Sequence, residues 1–281
     1  MLLDGKKLAS QIKDSIKSNI INKGITPGLG VIIVGDRKDS ALYVKMKNKA
    51  CNEVGITSKI IKLSENVSTE NILFIIDMFN SDNDVHGILI QLPLPEHINE
   101  DKVLSRVSIH KDVDGFHATN IGNLAMEKRS PLFVPCTPKG CLRLLEEYNT
   151  EFKGKNAVVI GKSNIVGLPI SLMLMKKDAT VTVCHKFTKN LREIVQSADI
   201  LISACGQAEI IRGDWLKEDV IIVDIGISHV TREGKDVVVG DVCFEEANKV
   251  ASYITPVPGG VGPMTVAMLM ENTMNACLLD K

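Results

Sequence analysis

Ser40, Tyr43 and Lys47 stand three and four residues apart, so on a helix their hydroxyl, phenol and amine share one face. Those are groups of proton-transfer chemistry. The same segment also carries Lys45 and Lys49, and a lysine run reads equally well as a solvated surface; only its register with Tyr43 singles out Lys47. Gln91 closes the apolar run Gly87-Ile-Leu-Ile and opens Gln91-Leu-Pro-Leu-Pro95. Ligands of α/β sheets bind at the carboxyl ends of strands, so this amide is either a loop hydrogen-bonder or a partner for a ligand or a catalytic side chain. Asp112 and Asp114 flank Val113 ahead of Gly115, a pattern that reads as a turn, or as a calcium-type loop missing its remaining ligands.

A second set of residues points to a nucleotide. Val158 to Gly167 reads as a strand, a glycine turn and a helix start, with glycines at 161 and 167 and Ser163 where the usual fingerprint has its second glycine. Such a turn aims helix N-terminal N–H groups at a pyrophosphate, and cofactor binding is favoured over a purely structural turn. NAD-binding folds place an acid about 20 residues on, to accept from the ribose hydroxyl. Here Cys184-His185-Lys186 stands instead, with no acid before Glu193. Lys186 and Lys162 together suit the extra phosphate of NADP, unless both are merely solvated; NADP is therefore expected, with NAD the lesser alternative. The six histidines form no ligand pattern and the seven cysteines no C-x-x-C pair, so no metal and no disulfide framework is expected.

Elements must position these groups. Leu8, Ile12, Ile16 and Ile20 mark an amphipathic helix ended by Gly24 and Pro27. Strands at Gly30–Gly35, Ser58–Leu63 and Gly87–Gln91 alternate with helices at about 37–54 and 69–80, which implies a mainly parallel sheet. Residues 109–138 break the rhythm with an acidic turn and a proline-marked stretch, read as the connection between domains. A helix at Gly140–Tyr148 and strands at Ala157–Ile160, Thr180–Cys184, Ile200–Ser203 and Val220–Asp224 then form a second alternating series, a doubly wound nucleotide-binding domain. The last helix, Met264 to Leu279, carries Glu271 alone as a charge and is expected to pack on several sides. The fold class is thus α/β: two α/β domains, the second Rossmann-like, with the active site in the cleft between them. Their expected extents are 1–119 with 264–281, and 120–263.

Bulk properties narrow the partners. A net charge of −1 and only 4% aromatic residues leave neither a basic field nor stacking platforms, which argues against nucleic acid. No apolar run approaches the ~18 residues of a membrane span, and the start Met1-Leu-Leu-Asp-Gly is not a signal peptide. A soluble protein of the cytoplasm with reduced cysteines is expected, and the lack of a targeting segment fits a bacterial cytosol.

Six motifs in register carry a resemblance. Tyr43-x-x-x-Lys47, Gln91-Leu-Pro-Leu-Pro95, Lys111-Asp-Val-Asp-Gly115, Pro135-Cys-Thr-Pro-Lys-Gly140, Gly161-Lys-Ser-Asn-Ile-Val-Gly-Leu-Pro169 and Pro256-Val-Pro-Gly-Gly-Val-Gly-Pro-Met-Thr265 occur in this order. Over nearly the whole chain it resembles the bifunctional methylenetetrahydrofolate dehydrogenase/methenyltetrahydrofolate cyclohydrolases, in their stand-alone form. The resemblance implies a cytoplasmic homodimer, joined through its cofactor domains, that binds tetrahydrofolate derivatives and supplies one-carbon units to purine biosynthesis. It implies that Lys47 is the central catalytic group, relaying protons as the methenyl ring is hydrolysed, an amine whose task at neutral pH requires burial or hydrogen bonding. Gln91 would contact Lys47, Tyr43 would stack on the folate, and Asp114 would accept two N–H bonds from the pterin edge. Gly259, Gly260, Gly262 and Pro263 would line the folate and nicotinamide pocket, and Gly161, Lys162, Ser163, Gly167, His185, Lys186 and Ile227 would hold the cofactor. Two departures from the commonest family pattern, lysine at 162 and at 186, supply charge without a bidentate fork and imply a looser preference for NADP. The rivals are a shikimate-type dehydrogenase, a single-activity member of the same family and a non-catalytic nucleotide-binding regulator. The first has no reason to keep Tyr43, Lys47, Gln91 and Asp114 together, the regulator would be expected to have lost Lys47 or Asp114, and the single-activity member stays open.

Overall fold

The computed structural model describes residues 1–279, apart from the side chains of residues 38–43. Packing divides the chain into two units, Ser10–Cys136 with Val266–Lys281, and Met1–Ala9 with Thr137–Thr265.

The first unit is built on α1 (Gly5–Lys23, from Ser10 on), β1 (Gly28–Val34), α2 (Lys38–Val54), β2 (Thr57–Leu63), α3 (Thr69–Ser81), β3 (Gly87–Ile90), α4 (Glu100–Arg106) and α5 (Ala118–Ala125). Its sheet has the order β2-β1-β3 and is parallel throughout. β1 and β3 are buried at every position, as their unbroken apolar runs require of strands covered on both faces. The helices start and stop where local chemistry dictates. Ser68 caps α3 by accepting from the Asn71 N–H at 3.2 Å, and Asn99 caps α4 by accepting from Lys102 N–H at 2.9 Å. Gly55 closes α2 in the left-handed region and donates its N–H to the Cys51 carbonyl. Ile72, Ile76 and Phe79, at helical spacing on α3, fill the core with Ile32, Ile88 and Val103. Each such side chain contributes roughly 1.5–3 kcal/mol by burial.

The second unit holds α6 (Cys136–Glu147), β4 (Asn156–Ile160), α7 (Gly167–Met175), β5 (Thr180–Cys184), α8 (Leu191–Gln196), β6 (Ile200–Ser203), β7 (Ile221–Asp224), β8 (Ser228–Arg232), β9 (Lys235–Val239), α9 (Phe244–Ala247) and β10 (Tyr253–Ile254), and the chain ends in α10 (Val261–Leu279). The sheet order β10-β7-β6-β4-β5 is parallel at every pairing, a doubly wound, Rossmann-like arrangement. Its switch point lies between β4 and β6, because β4 pairs with β5 on one side and with β6 on the other. The β8–β9 hairpin, turning at Glu233-Gly234 with φ of 50° and 74°, and the two-residue β10 go beyond the expected alternation.

The division departs from the expected extents at three places, the smallest being residues 264–265, which fall in the second unit. Residues 1–9 belong to the second unit because Leu3 N–H donates to the Ile254 carbonyl and Lys6 N–H to that of Gly259, both at 2.9 Å. Residues 120–136 belong to the first, where buried Asn120 donates to Asp112 at 2.7 Å and accepts from Leu132 N–H at 2.9 Å. The last helix starts at Val261, three residues before Met264, since Pro263 in a first turn forfeits an N–H that needs no helical partner. Among the described residues no helix is long and apolar enough to cross a membrane.

Candidate active site

α2 turns Val44, Ala50, Cys51 and Val54 into the core and leaves Lys45 and Lys49 exposed, while Lys47 is half-buried. Helical register therefore separates one lysine from its neighbours. Lys47 Nζ donates to Gln91 Oε1 at 3.0 Å. Gln91 is held from both ends: its backbone N–H donates to the Ile32 carbonyl at 2.9 Å and its Nε2 to the Leu92 carbonyl at 2.8 Å. With the amide nitrogen so engaged, the amide oxygen faces the lysine. One turn further along, burial pushes the Cys51 thiol up to about 12 despite a backbone hydrogen bond and the Lys47 charge, so it takes no part as a nucleophile. The side chain of Tyr43 lies outside the described residues.

The two aspartates before Gly115 separate cleanly. Asp112 is 5% exposed and accepts from Phe116 N–H at 3.1 Å, His117 N–H at 2.8 Å and Asn120 Nδ2 at 2.7 Å. It is the turn residue; burial pushes its carboxyl up to about 6 against those hydrogen bonds. Asp114 is half-buried and free of that turn duty. Burial raises its carboxyl above the ordinary range, while the Lys47 charge and the Cys136 thiol draw it down. Lys47 thus links electrostatically to Asp114 and by hydrogen bond to Gln91, three groups brought together from α2, the end of β3 and the 111–115 turn. Asn272 of α10 fixes that turn by donating to the Val113 carbonyl at 2.8 Å and the Val134 carbonyl at 3.2 Å. A polar residue in so apolar a helix was its signal in the sequence, as was Asn120 for the neighbouring loop.

In the second unit the glycine turn follows β4 at the switch point. Gly161 adopts φ +115°, and a Cβ there would overlap the Ala204 carbonyl; a Cβ on Gly167 would overlap the Gly161 carbonyl. Both glycines are imposed by the turn itself. Ser163 Oγ accepts from Val166 N–H at 3.2 Å and weakly from Gly167 N–H at 3.4 Å, replacing the second glycine of the usual fingerprint by a cap on α7. Residues 162–165 are exposed, leaving Lys162 and the start of the turn open. Gly161 N–H donates to the Cys184 carbonyl at 2.9 Å, which sets His185 and Lys186 beside the turn. His185 is half-buried, whereas Lys186 is exposed with its Nζ 5.0 Å from the Phe187 ring centroid. No carboxylate stands at the end of β5, and two lysines border the turn: this set fits a dinucleotide with an extra phosphate. Ile227, after β7, is 48% exposed. Gly260 N–H donates to the Pro256 carbonyl at 2.8 Å, tightening the loop in which Gly259 and Gly260 lead into α10; Gly262 and Pro263 lie in its first turn. Among the described residues no cluster of three or more His, Cys, Asp or Glu is placed to hold a metal ion.

The catalytic-domain pattern of the tetrahydrofolate dehydrogenase/cyclohydrolase family matches residues 3–114, and its NAD(P)-binding-domain pattern matches residues 135–281. The chain belongs to this family. It is 55% identical to the bifunctional protein FolD 4, chloroplastic, of Arabidopsis thaliana over 98% of the chain and 79% of that protein. The crystal structure of the bifunctional enzyme FolD, a methylenetetrahydrofolate dehydrogenase/cyclohydrolase from Campylobacter jejuni, is similar at a TM-score of 0.94, with 49% identity over 100% of this chain and 99% of that one. The Trypanosoma brucei methylenetetrahydrofolate dehydrogenase-cyclohydrolase, solved with NADP and an inhibitor, gives a TM-score of 0.96 at 39% identity over 100% and 98% of the two chains.

The lysines beside the turn give a direct test of cofactor choice. Lys186→Ala removes an exposed charge beside the turn; if that charge meets the 2′-phosphate, a contact of about 1–2 kcal/mol is lost and the ratio of kcat/KM for NADP over NAD is expected to fall roughly tenfold. Steady-state kinetics with both cofactors checks this, and an unchanged ratio removes Lys186 from the site.

Proposed function

We propose that the chain oxidises 5,10-methylenetetrahydrofolate to the 5,10-methenyl form with NADP, and then hydrolyses that product to 10-formyltetrahydrofolate. In this reading the three-stranded unit binds folate and the five-stranded unit binds NADP. NADP, when bound, supplies the two-electron acceptor for the hydride of the methylene carbon. Gly161, Ser163 and Gly167 hold its pyrophosphate, Lys162 and Lys186 face its extra phosphate, and His185 and Ile227 border it. Asp114 accepts from two pterin N–H groups, Tyr43 stacks on the folate, and Gly259, Gly260, Gly262 and Pro263 give the ligands room to approach.

Hydrolysis asks more of the side chains. A water oxygen bonds to the methenyl carbon, the bond from that carbon to N5 breaks, and the formyl group stays on N10. One water proton ends on N5 and the other leaves to solvent, with Lys47 as the relay and Gln91 fixing its position. The 3.0 Å bond between Lys47 and Gln91, with Asp114 within reach of the same charge, is the observation that carries the proposal. The reading further places the enzyme in the cytoplasm as a homodimer serving purine synthesis; β5, an edge strand with Val183 40% exposed, offers a face for joining the cofactor units.

The test follows reduced cofactor and methenyl-tetrahydrofolate together, starting from the methylene substrate with NADP. Both activities stand if reduced cofactor accumulates while the methenyl product rises and then decays faster than without enzyme. Persistence of the methenyl product at its uncatalysed rate leaves a dehydrogenase alone, and no cofactor reduction removes the redox assignment.

A further inference from the structure

Two carboxylates are buried behind the carboxyl ends of β6 and β7, apart from every group assigned above: Asp224 is 3% exposed and Asp241 0%. Asp241 gathers one loop. Its Oδ2 accepts from Ser203 Oγ at 3.0 Å, from Cys205 N–H at 2.8 Å and from Gly206 N–H at 3.3 Å, and its Oδ1 accepts from Gln207 N–H at 2.9 Å. Three successive backbone N–H groups on one carboxylate form a nest occupied by the protein's own anion. Asp224 in turn holds the backbone that carries Asp241, accepting from Asp241 N–H at 3.0 Å, Val242 N–H at 2.8 Å and Gly226 N–H at 2.9 Å. The result is a relay from the end of β7, through the 241–242 backbone, to the 203–207 loop.

That loop matters because of where it sits. Ligands of a doubly wound sheet bind at the switch point, here between β4 and β6, and its two walls are the segments that follow those strands. One wall is the Gly161 turn. The other is residues 204–207, whose Ala204 carbonyl packs so closely on Gly161 that no side chain fits there. Residues 206–208 are exposed toward solvent. With its N–H groups drawn inward to Asp241, this loop has no freedom to fall into the crevice or to lift away from the glycine turn.

We propose that Asp241, supported by Asp224, is a positioning residue for cofactor binding, fixing the second wall of the nicotinamide-nucleotide crevice. The proposal rests on the functional reading above and adds a residue that touches neither substrate nor cofactor. Asp241→Asn keeps the shape but turns an N–H donor toward the loop's N–H groups, so bonds to that carboxylate are lost and the loop is released.

Steady-state kinetics of both activities tests it, with the wild type alongside. KM for NADP is expected to rise roughly tenfold in Asp241→Asn, as the loss of one to two charge-assisted bonds implies, while kcat at saturating NADP, KM for folate and the cyclohydrolase rate stay within about twofold. Ser203→Ala removes only the side-chain donor and is expected to raise KM for NADP about twofold to threefold. An unchanged KM for NADP overturns the proposal. So does a parallel fall of both activities with the melting temperature, which marks a general structural role. If Asp241→Asn does not fold, Ser203→Ala decides by the same split. A wild type that reduces no NADP sinks the functional reading itself, a result distinct from any of these.

Discussion

Lys47→Met leaves an enzyme that reduces NADP and releases its methenyl product unhydrolysed. The methionine keeps the length and apolar stem of the lysine, so the packing of α2 beside Val44 and Cys51 survives. What goes is the amine that relays protons in the proposed hydrolytic step, and positioned acid–base groups are worth roughly 10²–10⁴-fold. The cyclohydrolase rate is expected to fall by that factor, whereas hydride transfer, which needs position more than proton transfer, stays within about tenfold. Lys47→Arg refines the test. It keeps the charge beside Asp114 but holds its proton at any accessible pH, so it cannot relay. Both variants should therefore lose hydrolysis, and only Lys47→Met should also disturb folate binding through the lost charge. The measurement is methenyl-tetrahydrofolate decay in single-activity assays. A Lys47→Arg enzyme hydrolysing at the wild-type rate would take the proton relay away from this residue.

The legibility of this site in the sequence was uneven, for physical reasons. Periodicity marks the strands and long helices, because a buried parallel strand must be an unbroken apolar run, as in Gly28–Val34 and Gly87–Ile90. The glycine turn was legible because a φ of +115° at Gly161 and the close approach at Gly167 leave no other residue free to stand there. Spacing could mark Lys47 but not raise it above Lys45 and Lys49; only burial of one helix face does that. The pair Asp112 and Asp114 was ambiguous for a related reason. Which carboxylate serves the turn depends on Asn120, eight residues away, and on N–H groups that close only after folding. Asp224 and Asp241 leave almost no trace in the sequence, since, apart from Ser203 Oγ on Asp241, their partners are backbone N–H groups, which carry no side-chain signature. The β8–β9 hairpin is hard to read from sequence because Glu233-Gly234 is a weaker turn pair than Asn-Gly and its strands are half polar. The motif resemblance supplied roles that neither period nor spacing reaches.

Asp114→Asn is expected to cripple both activities at once, and this separates it from Lys47. In the proposed binding mode the carboxylate offers two acceptors to two pterin N–H groups; the amide offers one acceptor and turns a donor toward the second N–H. Losing one bond to a charged group and leaving one donor opposed costs about 3–5 kcal/mol, so kcat/KM for folate should drop roughly 10²–10⁴-fold for oxidation and hydrolysis alike, with NADP affinity unchanged. The acid limb of the wild-type pH profile carries a second signature. In that mode folate binding needs Asp114 ionised, so affinity is present above its pKa and lost as pH falls through it. Burial raises that pKa above the ordinary 3.8, and the Lys47 charge opposes the rise. The limb should therefore lie above the range of an exposed aspartate, move to higher pH in Lys47→Met, and stay in place in Lys47→Arg. It should vanish in Asp114→Asn, which has no proton to lose. Measuring kcat/KM for folate against pH in the four proteins decides the matter. A limb that ignores the charge at position 47 would mean that some other group titrates it, and the electrostatic link between Lys47 and Asp114 would have no part in binding.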